Sequence, residues 1–141
     1  MRIMAIDYGD VRTGVAVSDL TQSITGDAFI IREKDPGKLA ERLCIEAGQR
    51  DVEKFILGLP RNMDGTESFR AEKSRAFKSL LEEKSGLPVV LWDERRSSIE
   101  AHAILHASGK KEKAHKNSVD AVAASLLLES YLESIKVKKT Y

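Results

Sequence analysis

The alternation of apolar and polar residues along the chain predicts five β-strands separated by turns and helices. Short apolar runs predict strands at Ile3–Asp7, Gly14–Ser18, Ala28–Arg32, Phe55–Leu57 and Pro88–Trp92. Apolar residues at helical spacing predict helices at Pro36–Gly48, Thr66–Lys84, Ser97–Ala107 and Ser118–Ile135. Asp35 before Pro36 is typical of a helix start, and Gly86 is typical of a helix end.

Two of these helices have an apolar face that we expect to be buried. In the second helix, the predicted buried residues are Phe69, Ala76, Phe77, Leu80 and Leu81. In the last helix, they are Val119, Val122, Ala123, Leu126, Leu127 and Tyr131. Both faces are wide enough to cover a β-sheet.

The order of the elements predicts an α/β fold. Three strands come first, and the short segment YGDVRT between the first two predicts an antiparallel hairpin. The later strands are separated by helices, so they need crossover connections and should run parallel. We therefore expect a single domain over residues 1–141, with helices on both faces of a mixed sheet, in three layers.

Composition narrows the cellular setting but not the function. The 141 residues are 42% apolar and 32% charged, which is typical of a globular protein, and the apolar runs are too short to span a bilayer. We therefore expect a cytoplasmic protein that does not contact membranes. The net charge is only +1, but basic residues cluster in KKEKAHK, Lys110–Lys116. This segment is either solvated surface or a loop that attracts phosphates.

Acidic residues stand at the ends of two predicted strands and at the start of the last helix. Asp7 ends the first strand, Asp93 and Glu94 follow the fifth, and Asp120 lies in the first turn of the last helix. In open sheets, ligands bind beyond the carboxyl ends of strands. Three carboxylates from separate elements could converge there on a hard divalent cation such as Mg²⁺. Each acid also has an ordinary alternative, as a turn residue, an ion-pair partner or a helix-start acid.

The motifs that contain these acids resemble one known family. The segments IDYGDVRTGVAVSD, GLPRNMDGTES, LWDERRSS and NSVDAVAASLLL have the order and spacing of the YqgF/RuvX family, described as pre-16S rRNA nucleases and earlier as Holliday junction resolvases. The resemblance covers essentially the whole chain. It implies an RNase H-like fold with a mixed five-stranded sheet, and it implies that Asp7, Glu94 and Asp120 are catalytic acids that bind Mg²⁺ or Mn²⁺.

The expected activity is metal-dependent hydrolysis of phosphodiester bonds, in processing of the 5′ end of pre-16S rRNA. Candidate substrate-binding residues are Arg12, Arg61, Asn62, Arg95, Lys110 and Lys111, and Arg70 could add further charge. The segment 61–66 is expected to meet the start of the second helix, whose free N–H groups suit a phosphate. The expected partner is nucleic acid, with RNA favoured over branched DNA, and the expected state is a monomer.

Several alternatives remain open from the sequence. One is a Holliday junction resolvase, and another is a nucleic-acid-binding factor with little catalysis. A third is a nucleotide-binding fold of the actin and sugar-kinase type, which is normally built from two such domains. His102 and His106 have the i, i+4 spacing of zinc ligands, but the HExxH motif is absent, so we do not predict a zinc site.

Overall fold

A computed structural model describes residues 1–60, 64, 67–94 and 112–140 of the protein, and within the last segment it describes the side chains of residues 121–136. These residues form five strands and three helices in the order β1 (Arg2–Asp7), β2 (Arg12–Ser18), β3 (Thr25–Arg32), α1 (Pro36–Gln49), β4 (Val52–Leu59), α2 (Phe69–Ser85), β5 (Val89–Asp93) and α3 (Glu112–Thr140). The predicted helix at Ser97–Ala107 lies outside the described residues.

The strands form one mixed sheet with the order β3-β2-β1-β4-β5. The first three strands pair antiparallel, while β1 pairs parallel with β4 and β4 pairs parallel with β5. This arrangement confirms the predicted α/β fold with its five-stranded mixed sheet. Because β1 is the middle strand, its carboxyl end lies at the centre of the sheet edge where the parallel strands β4 and β5 also end.

Helices cover both faces of the sheet, and each face has its own apolar core. On one side, α1 and α2 pack on residues that include Met4, Ile6 and Phe55. On the other side, α3 packs on Ile3, Ala5 and neighbouring residues through buried positions at Ala124, Leu127, Leu128 and Leu132. Alternate residues of β1 therefore point to different cores, as the period of two in a strand requires. No described helix has the length and apolar character needed to cross a bilayer.

The connection between β1 and β2 is tight, and it explains Gly9. A Cβ atom at this position would lie 2.0 Å from the carbonyl oxygen of Arg12, which no side chain could tolerate. The Gly9 amide also donates a hydrogen bond to the hydroxyl oxygen of Thr13, at 3.3 Å. The hairpin alone therefore requires glycine here.

The start of α2 differs from the prediction. The helix begins at Phe69 rather than at Thr66, because Ser68 is extended, with φ −95° and ψ −179°, and serves as the N-cap. Phe69 is 68% exposed, and Ala76 is also exposed, so the predicted burial of these two residues was wrong. Phe77 and Leu81 do form the buried face of the helix. The exposed Phe69 ring lies 5.1 Å from the Nζ atom of Lys73.

The last helix is longer than predicted, and its buried residues lie one position later in the sequence than predicted. It begins at Glu112 rather than Ser118, so the backbone of residues 112–116 is helix and not the predicted loop. The segment contains good helix formers and no glycine or proline, so nothing in it opposes helix formation. Leu127 is buried as predicted, whereas Val122, Ala123, Leu126 and Tyr131 are only partly buried, and the side chain of Val119 lies outside the described residues.

Candidate active site

Asp7 lies at the centre of the carboxyl edge of the sheet, on the face that α3 covers. It is the last residue of β1 and follows Ile3 and Ala5 on the same side of the strand. Its cross-strand neighbour in β2 is Gly14, which has no side chain to fill the adjacent space. Asp7 is half-buried, so its carboxylate has lost part of its hydration without being sealed into the core.

Glu94 reaches Asp7 across a glycine. It follows β5 directly, and its side chain lies over Gly58 of β4, the strand between β1 and β5. A Cβ atom at Gly58 would lie 2.5 Å from Oε1 of Glu94 and 2.8 Å from its Cγ. The Glu94 carboxyl group forms a hydrogen bond with Asp7. The structure therefore brings two of the predicted acids into direct contact.

Gly58 was not singled out from the sequence. The available signal was a glycine near the end of a buried strand, which often marks a close approach of other atoms.

The side chain of Asp93, which the pattern left as an alternative to Glu94, lies on the opposite face of the sheet from that of Asp7. Leu91 packs against the core on the α1 and α2 side, and alternation places Asp93 on that side too, away from Asp7.

The Asp7 carboxyl group holds its proton more tightly than an ordinary aspartate does. Burial raises the pKa of Asp7 from an ordinary value of 3.8 to about 8, and the charge of the Glu94 carboxylate and its hydrogen bond to Asp7 act in the same direction. The positive charge of Arg70 opposes these effects and lowers the pKa of Asp7. A divalent cation between the carboxylates would replace this proton, since it offsets the repulsion between two negative charges.

The third predicted acid, Asp120, belongs to α3, but its side chain lies outside the described part of the chain. Its backbone is one helical turn before Ala124, which is fully buried against the sheet. Among the described residues, no group of three acidic, histidine or cysteine side chains could hold a metal ion. The described donor set is therefore two carboxylates, whose oxygen atoms suit Mg²⁺ or Mn²⁺.

Arg12 is the one predicted substrate-binding residue that the structure describes in full. It begins β2 two residues before Gly14, so it lies on the same face as Asp7, farther out at the sheet edge. Its cross-strand partner in β3 is Arg32. The other predicted substrate-binding residues lie outside the described residues, namely Arg61, Asn62, Arg95, Lys110 and Lys111.

The start of α2 is less suited to a phosphate than the sequence predicted. Glu67 lies just before the helix and is held by Arg75 through two hydrogen bonds of 2.8 Å, and Glu72 lies in the first turn. The helix therefore has anionic groups of its own at its positive end. Arg70, in contrast, is an exposed cation whose charge reaches Asp7.

The element order and the sheet order define an α/β protein with an RNase H-like fold. Thermus thermophilus RuvC, solved in complex with a Holliday junction substrate, shares this fold with a TM-score of 0.61 at 12% identity, over 95% of this chain and 96% of that chain. The fowlpox virus resolvase, solved with Holliday junction DNA, shares it with a TM-score of 0.61 at 15% identity, over 96% of this chain and 99% of that chain.

Sequence similarity then defines the family. The chain belongs to the RuvX family, whose model, described as "Holliday junction resolvase", matches residues 1–134. A relative from Halothermothrix orenii is 44% identical over 133 residues, covering 94% of each chain, and is named "Putative pre-16S rRNA nuclease". A relative of the same name from Syntrophus aciditrophicus is 40% identical over 144 residues, covering 99% of this chain and 93% of its own. The resemblance seen in the sequence motifs is confirmed.

Proposed function

We propose that the protein is a metal-dependent nuclease that hydrolyses phosphodiester bonds in single-stranded or locally unpaired RNA, in maturation of the 5′ end of pre-16S rRNA in the cytoplasm. The observation that carries this proposal is the contact between the Asp7 and Glu94 carboxyl groups over Gly58. Two half-buried carboxylates in contact repel each other, and a hard cation between them offsets that repulsion. The names of the relatives support the substrate class.

In this proposal, Asp7, Glu94 and Asp120 hold Mg²⁺ or Mn²⁺. Two such ions, when bound, supply an activated water and stabilise the charge on the leaving oxygen. Hydrolysis forms a bond from the water oxygen to phosphorus and breaks the bond from phosphorus to O3′, leaving a 5′-phosphate and a 3′-hydroxyl group.

The basic residues of the chain orient the substrate. Arg12 lies on the Asp7 face of the sheet edge, where its guanidinium group suits a phosphate adjacent to the scissile one. Arg70 lies in the first turn of α2 and contributes positive charge near Asp7. Arg61, Asn62, Arg95, Lys110 and Lys111 are proposed to contact further phosphates.

The experiment is a cleavage assay on a precursor 16S rRNA fragment with Mg²⁺, with Mn²⁺ and with EDTA. We expect Asp7→Asn and Glu94→Gln to lose at least 100-fold in cleavage rate, because each removes a charged metal ligand. Glu83→Gln is the matched control, since Glu83 is an exposed acid on α2, away from the sheet edge. Cleavage that persists in EDTA, or in Asp7→Asn, would contradict the proposal.

A second candidate function is resolution of Holliday junctions. The description of the family and the two structures solved with junction DNA favour it. A four-way junction in the same assay separates the two activities. Symmetric cleavage of the junction, with the RNA left intact, would support the resolvase instead of the RNA nuclease.

A further inference from the structure

A cavity of about 270 Å³ lies on the other face of the sheet from Asp7, beneath the β1–β2 connection. Its wall is mainly apolar and is formed by Tyr8, Pro36, Ala76, Phe77 and Leu80. Two cations and one acid complete the lining, namely Lys34, Lys73 and Asp10. An apolar cavity with a few polar groups at its rim is typical of a small-ligand site, and this one has room for a single flat ring system.

The aromatic part of the wall is rigid. The rings of Tyr8 and Phe77 are stacked, with centroids 4.4 Å apart and planes inclined by 8°. Phe77 is buried, and Tyr8 packs against the core on the α1 and α2 side. The position of the Tyr8 ring is therefore fixed before any ligand arrives, so ordering it on binding would cost little entropy.

The cations of the rim favour an anionic ligand. Lys73 pairs with Asp10 at 3.2 Å, in an exposed ion pair that contributes little stability. Lys34 lines the cavity as well, and it has no ion pair with any residue that the structure describes. A ring with a phosphate attached matches this combination of an aromatic wall and ammonium groups.

The cavity is next to the candidate active site along the chain. Tyr8 follows Asp7, and consecutive Cα atoms are about 3.8 Å apart. The side chain of Asp7 points to the α3 face and that of Tyr8 to the opposite face. A nucleic-acid strand that crosses the sheet edge with one phosphate at Asp7 would therefore place a neighbouring nucleotide over the cavity.

We propose that this cavity accepts one unstacked base of the single-stranded substrate, beside the phosphate that is cleaved, with Lys34 and Lys73 contacting the phosphate of that nucleotide. The inference rests on the proposed nuclease function, because it places the bound base on the same nucleic-acid strand as the phosphate that is cleaved. Because every base has a flat face, such a site binds with little sequence preference and selects unpaired strands over duplexes.

The first test fills the cavity. Ala76 is exposed on α2 and lines the cavity, so Ala76→Phe places a ring in it without entering the core. Ser79→Phe, at an exposed position of the same helix outside the cavity lining, is the matched control. Binding of a labelled single-stranded RNA is measured in EDTA, which prevents cleavage. We expect Ala76→Phe to lose about 5- to 100-fold in affinity, as for loss of one stacked base, and Ser79→Phe to lose less than twofold.

The second test removes the base instead of the cavity. An abasic nucleotide is moved along the RNA, and we expect one position to weaken binding to the wild-type protein and to have no effect in Ala76→Phe. Equal binding of Ala76→Phe and Ser79→Phe, or a flat abasic scan with normal overall binding, would overturn the base site while leaving the nuclease function intact. Failure of the nuclease function gives a different result, since RNA would then be neither bound nor cut in an Asp7-dependent way.

Discussion

At the scale of single residues, the distance between the Asp7 and Glu94 carboxyl groups depends on the absence of a side chain at Gly58. Gly58 has no Cβ, and the Glu94 side chain occupies the space that a Cβ would need. The obstacle is the end of a flexible side chain, so a larger residue at 58 would displace Glu94 rather than disrupt the strand. Gly58 therefore fixes the separation of Glu94 from Asp7.

We predict that Gly58→Ala weakens metal binding without weakening the fold. The substitution moves the Glu94 carboxylate away from Asp7 and should lower Mn²⁺ affinity at least 10-fold in calorimetric titration. In EDTA, its free energy of unfolding should be equal to or up to about 1 kcal/mol above that of wild type, because alanine loses less backbone entropy than glycine.

The control for this prediction is Gly48→Ala in α1, where nothing lies within 4 Å of an added Cβ. It should stabilise the helix by roughly 0.5–1 kcal/mol and leave Mn²⁺ affinity unchanged. An unaltered Mn²⁺ affinity in Gly58→Ala would show that Glu94 is not a ligand in the position described.

The raised pKa of Asp7 predicts how stability depends on pH. The pKa of Asp7 is raised from 3.8 to about 8 in the folded protein, so between these values the folded chain binds more protons than the unfolded chain. The contribution of this pair is fully present below pH 3.8 and is lost as pH rises toward 8.

In EDTA, the melting temperature of wild type should therefore fall relative to Asp7→Asn as pH rises from about 5 to about 8. Thermal denaturation at a series of pH values measures this difference. Mg²⁺ should remove it at the alkaline end, because the cation then offsets the charge. Parallel pH profiles for the two proteins in EDTA would mean that the pKa of Asp7 is not raised in the folded protein.

At the scale of elements, α1 and α2 begin with different caps. The Oδ2 atom of Asp35 accepts a hydrogen bond of 2.9 Å from the amide of Lys38, and Pro36 follows the cap. Ser68, the cap of α2, makes no side-chain hydrogen bond. The two helix starts therefore differ in how much their cap residue contributes, although both residue types are favoured caps.

We predict that Asp35→Ala destabilises the protein by about 1 kcal/mol, whereas Ser68→Ala changes stability by only a few tenths. Urea denaturation of the two variants measures the difference. Equal losses in both would indicate that Ser68 caps its helix in solution.

The pattern of the sequence was sufficient for the five strands, the β1–β2 hairpin and the start of α1, but not for the starts of α2 and α3. Strand alternation is local, and a tight hairpin leaves few choices, so β1 and β2 could be placed from their own residues. At the start of α2, Ser68 is extended, and Glu67 before it is held by Arg75, eight residues later. Such contacts leave no periodic signal.

The same limit applies to the candidate site. Asp7 and the pair Asp93 and Glu94 could be named because acids after strand ends stand out in a sequence, and the family resemblance then singled out Glu94. The role of Gly58 could not, because it follows from a contact between β4 and a residue beyond β5. The cavity beneath the β1–β2 connection could not be predicted either, because its wall comes from three separate segments, namely that connection and the helices α1 and α2.

At the scale of the whole molecule, the apolar helix faces are used against the sheet. The large apolar side chains that remain exposed in the described part of the chain are Met1, Val11, Leu20, Ile24, Ile45 and Phe69. Leu20 and Ile24 share the β2–β3 connection, and Gln22 in that connection donates a hydrogen bond to the Met1 carbonyl oxygen, whereas Val11, Ile45 and Phe69 lie on three other segments. A stable dimer needs a continuous interface of about 1,000 Å² or more. Three neighbouring residues and three separate ones fall short of that area.

We predict that the purified protein is a monomer, and light scattering during gel filtration should give the mass of one chain. A monomer has one catalytic edge, whereas symmetric cleavage of a junction requires two sites related by symmetry. A dimer in solution would contradict this prediction and favour the resolvase.

The sheet order has a consequence for local unfolding. Asp7 is on β1, which is paired with a neighbour on each side, while Glu94 follows β5, the last strand in the order. Backbone amides in β1 should exchange with deuterium only when the whole protein unfolds, whereas those of β5 can exchange through partial opening. One acid is therefore anchored to the slowest-exchanging strand and the other to a strand that can detach. A cation bound by both would link them, and it should slow exchange in β5 far more than in β1.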